Sequence, residues 1–158
     1  MHIFIAIDPT GGGPSALTIV SGYYERDGKT LHVIGNESCR ARSQRKEIQI
    51  IIEHINRVCE QYSPKVCKSV IIVNNIGNDA SRIGGLVTTL FPDIHLYRTP
   101  MSTPSTIGIY VNADFIVASA TMYKNLKANG DLIIDKGIVL DNPNLSLWML
   151  VFVGAFHK

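Results

Sequence analysis

The chain has 158 residues, 46% of them hydrophobic and 18% charged, with a formal net charge of +2. That length supports one domain with its own core, and the composition excludes a disordered chain. The charge is too mild to indicate nucleic-acid binding by itself, and three cysteines (Cys39, Cys59 and Cys67) without CxxC spacing give neither a disulfide framework nor a zinc knuckle.

Residues 2–7 are almost all apolar, which predicts a buried strand rather than a half-exposed one. The run ends on Asp8, a carboxylate that is costly to bury unless a cation or hydrogen bonds compensate it. Gly11, Gly12 and Gly13 then permit a sharp turn and close approach to a ligand, and residues 16–24 form a second apolar strand. Strand, acid, tight loop, strand is how several nucleic-acid-cutting and phosphate-handling folds begin their sites. The same residues also suit a plain hairpin, because Asp-Pro and Gly-Gly are common turn chemistry. Asp27-Gly28 supplies the next turn, into a third strand over residues 30–37.

From 43 to 61, Ile48, Ile51, Ile52, Ile55, Val58 and Cys59 recur at helical spacing, with Ser43 as N-cap and 44–47 in the first turn. Arg40, Arg42, Arg45 and Lys46 gather around that start, as a solvated face or as phosphate contacts. A β-branched run over 69–73 predicts a buried strand ending on Asn74-Asn75. A helix over 79–90, a short strand over 94–97 and a Pro/Ser/Thr-rich loop over 99–106 follow. The next helix spans 112–129, capped by Asn112 and stopped by Gly130, and 132–134 is a small strand. Asp141-Asn142-Pro143 is expected to start the last helix, since proline is tolerated in a first turn. That helix is too short to span a bilayer, and the N-terminal run lacks the basic leader of a signal peptide. Tyr23 and Tyr24 alternate faces, so one is expected in the core and the other exposed. His54 and His95 lack metal-site spacing and read as structural. No GxSxG supports a nucleophilic hydrolase.

This order predicts an α/β fold: a mixed sheet, antiparallel through the first three strands and parallel thereafter, with helices on both faces. It is the element order of the ribonuclease-H-like fold. Ligands in such sheets collect at the carboxyl ends of strands, where Asp8 and Asn74-Asn75 fall. If the first and fourth strands are neighbours, these residues face one site.

Four stretches, IFIAIDPTGGGPSALTIV, VIIVNNIGNDASRI, ADFIVASATMYKNLKANGDLII and NPNLSLWMLVFVGAF, together resemble the nuclease domain of viral terminase large subunits. These subunits are the DNA-packaging motors of herpesviruses and tailed phages. The resemblance implies a single nuclease domain over 1–158, cut from a larger protein, and the cysteine usage fits a reducing compartment, the host nucleus or cytoplasm. It also implies cleavage of double-stranded DNA with two Mg²⁺ or Mn²⁺ ions held by three acids, alongside an ATPase domain, a portal and a small terminase subunit. Asp8 matches the first acid. Asn74 stands where the family has Glu, and Asn144 where it has its final Asp, so one neutral carbonyl oxygen replaces a carboxylate at each. Asp79 and Asp141 are the nearest replacements, although Asp141 equally suits capping or dipole pairing of the last helix. A resolvase for branched DNA shares the fold, but expects paired acids in the final helix. A non-catalytic DNA-binding or assembly module would keep the fold without the metals. An actin-like phosphate-binding fold normally needs two such lobes.

Overall fold

Alternate residues of the first strand bury against opposite layers of helices, which is why its sequence is apolar without a break. The computed structural model describes residues 1–9, 16–74, 80–98, 108–140 and 143–156. Their elements run β1 (His2–Asp8), β2 (Leu17–Tyr24), β3 (Leu31–Cys39), α1 (Gln44–Gln61), β4 (Cys67–Ile72), α2 (Ala80–Leu90), β5 (His95–Leu96), α3 (Ala113–Ala128), β6 (Leu132–Ile134) and α4 (Leu145–Ala155). The sheet order is β5-β4-β1-β2-β3-β6. The β1–β2 and β2–β3 pairs are antiparallel, while β4 joins β1, β5 joins β4 and β6 joins β3 in parallel. The mixed sheet is therefore as expected, and β1 and β4 are neighbours.

Ile3, Ile5 and Ile7 join Leu17 and Ile19 of β2 under α1 (Ile51, Ile55, Val58) and α2 (Ile83, Val87). Phe4 and Ala6 point the other way, to Val20, Tyr123 of α3, and Leu147, Leu150 and Val151 of α4. Burying each large aliphatic side chain contributes about 1.5–3 kcal/mol, so the two layers fix the register of every central strand.

A polar chain fastens α1 to the sheet. His54, on the buried stripe of the helix, bonds Ser21 through Nε2 and Glu37 through Nδ1 (2.6 Å), and Arg57 also binds Glu37. The bond from His54 is the main reason that the Glu37 carboxyl lies below its ordinary range. Gly35 makes room for the ring: a Cβ there would lie 3.0 Å from His54 Cε1.

Two local expectations are corrected. The last helix is capped by Asn144, whose Oδ1 accepts from Leu147 N at 2.9 Å, so Pro143 precedes the cap instead of entering the first turn. A cap needs a side-chain acceptor on extended backbone, which asparagine supplies and proline lacks. Tyr23 and Tyr24 are both half-buried, because both faces of the sheet are covered. Tyr23 packs edge-on to Tyr62, and the Tyr24 hydroxyl donates to Val151 O at 2.9 Å. No helix among the described residues is long and apolar enough to cross a membrane.

Candidate functional site

Asp8 is the last residue of β1 and pairs with Thr18 of β2. On its other side, Val73 N donates to Ile7 O at 2.9 Å, so the following residue, Asn74, lies at the adjacent strand end. Asn74 N is held by Ile109 O at 2.8 Å. Gly108, at φ +106°, allows that approach, since a Cβ there would sit 2.7 Å from Ile72 O and 3.0 Å from Asn74 Cβ.

The start of α4 is tied to the same end of the sheet. The buried Ser146 hydroxyl donates to Thr18 O at 2.9 Å and meets Thr18 Oγ1 at 2.9 Å. Asn144 stands two residues before Ser146, and Thr18 is the register partner of Asp8. Asp8, Asn74 and Asn144 thus come from three separate stretches of chain to one end of one sheet. Asn144 Oδ1 is already committed to its helix cap. Asp79 and Asp141, the nearest replacement acids, lie outside the described residues, as does Asn75.

Electrostatics single out a residue that sequence reasoning left in the first turn of a helix. Burial, and then the charge of Glu47, push the Asp8 carboxyl up to about 6. Glu47 is 0% exposed and extends the buried stripe of Ile51, His54, Ile55 and Val58 towards the carboxyl end of the sheet. Its field also adds to the burial that raises the Cys39 thiol at the end of β3. The available signal was a carboxylate four residues before Ile51, on the apolar side of an amphipathic helix.

Arg40, Arg42, Arg45 and Lys46 follow the end of β3 into α1 and are all exposed, with no ion pair among the described residues. Cys39, just before them, pairs with Leu17, one residue from the partner of Asp8. The basic cluster therefore lies along the same sheet end as the acids.

An Asp8 carboxyl whose ionisation is made costly by burial and by the charge of Glu47 suits a divalent cation, whose charge offsets that cost. Among the described residues no group of three His, Cys, Asp or Glu side chains gathers. The donor set fits one such ion through Asp8 and Glu47. Among the described residues it does not supply three acids for two ions.

No family model and no curated protein sequence matches the chain. Solved structures do. A human cytomegalovirus terminase nuclease domain superposes with a TM-score of 0.64 at 16% identity, over 95% of this chain and 73% of the other. The Mn-soaked form of that domain gives 0.62 at 14%, over 95% and 71%, and the Mn-soaked, inhibitor-bound form 0.64 at 15%, over 94% and 72%. This chain has the ribonuclease-H-like fold of a herpesvirus terminase nuclease domain.

Proposed function

We propose that the chain is a metal-dependent DNA endonuclease domain of a packaging terminase, working with a reduced set of acids. Asp8 and Glu47 hold a divalent ion, Asn74 adds a neutral oxygen, and Arg40, Arg42, Arg45 and Lys46 grip the DNA backbone. The observation that carries this reading is the half-buried Asp8 at the carboxyl end of β1, within the field of the buried Glu47, in a fold shared with the cytomegalovirus domain. A bound Mg²⁺ or Mn²⁺ would activate water and offset charge at the scissile phosphate. The residues of the chain do the rest. Asp8 must lose its proton, so ion binding strengthens as pH rises through about 6. The basic cluster supplies affinity for any sequence, because phosphates carry no base information. Association with an ATPase domain and packaging subunits belongs to the same proposal.

A second reading, a DNA-binding module without catalysis, is favoured by the neutral Asn74 and by the commitment of Asn144 to its cap. Incubation with supercoiled plasmid and Mn²⁺ at pH 8 separates the two. The nuclease reading expects nicked and linear products, lost in Glu47→Gln. It also expects DNA affinity whose salt slope falls by about 0.9 for each phosphate contact removed from the basic cluster. Salt-dependent binding with intact plasmid moves the second reading to first place, and neither binding nor cleavage overturns both.

A further inference from the structure

At the opposite end of the sheet, His2 and Cys67 are the first residues of β1 and β4 and pair directly across the parallel ladder. Six residue steps along β1, about 20 Å at a strand's rise, separate this pair from Asp8. Cys67 is exposed, and its Sγ lies 3.7 Å from His2 Nε2. The ring of His2 is held in place twice. It stacks on Phe4 with ring centroids 4.3 Å apart and planes 7° from parallel, and its Nε2 is 2.7 Å from Oγ of the buried Ser69.

A hydroxyl both donates and accepts, so Ser69 satisfies the ring nitrogen whether or not it carries a proton. That leaves His2 able to take a proton from the neighbouring thiol without losing its anchor. The other two thiols are placed differently. Cys39 and Cys59 are half-buried among apolar neighbours, and burial is the main cause that raises both thiols.

We infer that Cys67 and His2 form a thiol-exchange site that takes up low-molecular-weight disulfides. The Cys67 proton passes to His2 Nε2, and the thiolate attacks one sulfur of the disulfide. The old S–S bond breaks and a mixed disulfide forms on Cys67. The departing thiolate takes the proton from His2, so Cys67 is oxidised and one half of the reagent is reduced. The exposed sulfur, the adjacent base and the anchored ring form a nucleophile–base–orienter arrangement, which neither of the other cysteines has among the described residues.

The full chain is incubated with oxidised glutathione at pH 7, and modification is followed by intact mass and peptide mapping. Cys67 is expected to react at least about tenfold faster than Cys39 or Cys59, as thiolate character and access dictate. His2→Gln should slow Cys67 about fivefold at pH 7, and the gap should narrow in strongly alkaline solution, where no thiol needs a base. Ser69→Ala, which frees the ring, should shift the rate the same way as a second test. Prior reaction at Cys39 or Cys59, or a Cys67 rate at pH 7 indifferent to both substitutions, would overturn the inference.

Discussion

Asp8→Asn is expected to abolish the metal-dependent cleavage proposed for the chain and, at the same time, to make the metal-free chain more stable at pH 8. The first effect follows from removing a carboxylate from a set already short of charge. Outer-shell partners alone are worth about 10–100-fold in metal affinity, and loss of a direct ligand exceeds that. The second effect is a matter of sign. The Asp8 carboxyl titrates at 3.8 in an unstructured chain and at about 6 in the fold. Between those values the folded chain binds more protons than the unfolded one, so stability falls as pH rises. Below 3.8 the penalty is absent, and above about 6 it is complete. The gap corresponds to at most about 3 kcal/mol, and solvent screening at a half-buried group reduces it to about 1–2 kcal/mol. Chemical unfolding should therefore show Asp8→Asn more stable by that amount at pH 8 and equal to the parent near pH 3.5. An equal or lower stability at pH 8 would mean that Asp8 is not a destabilised charge.

Gly22→Ala is expected to cost about 3 kcal/mol, at the upper end of overpacking effects. The new Cβ would lie 2.5 Å from the backbone oxygen of His32 and 3.1 Å from Leu150 Cδ2. The first contact is with main chain, which no side-chain rotation relieves, so β2 and β3 must separate. The β2–β3 register already shifts between Ser21 and Gly22, where the ladder is locally disrupted. Urea unfolding reads the loss as a lower midpoint. A loss under about 1 kcal/mol would show that the bulge relaxes freely.

How much of the fold was legible in the sequence depended on whether a residue acts through its neighbours in the chain or through distant partners. Ile3, Ile5, Ile7, Phe4 and Ala6 announced a strand covered on both sides, since burial of both faces is what removes the alternation. Ser43 and Asn112 announced helix starts, and their side chains accept from Lys46 N and Phe115 N. The start of α4 was harder, because Asp141, Asn142 and Pro143 each carry a start signal and compete with Asn144. The last two residues of β3, Ser38 and Cys39, are paired with Thr18 and Leu17 although the expected strand stopped at residue 37. Pairing partners, not propensity, hold them.

The site divided along the same line. Asp8 stood out as a carboxylate ending an apolar strand. Glu47 looked like an ordinary first-turn acid, favourable to the helix dipole, and only the packing of α1 on the sheet makes it a buried neighbour of Asp8. The Ser21–His54–Glu37–Arg57 chain spans residues up to 36 positions apart. No local spacing could have joined them; the lack of metal-site spacing made His54 read as structural, and its ring fastens α1 to β2 and β3.

Calorimetric titration of the folded chain with Mn²⁺ at pH 8 goes to the heart of the proposal that two acids from β1 and α1 share one cation. A single ion per chain is expected, with binding lost in both Asp8→Asn and Glu47→Gln while each variant stays folded. Absence of any saturable uptake by the parent, or uptake that survives both substitutions, would contradict it.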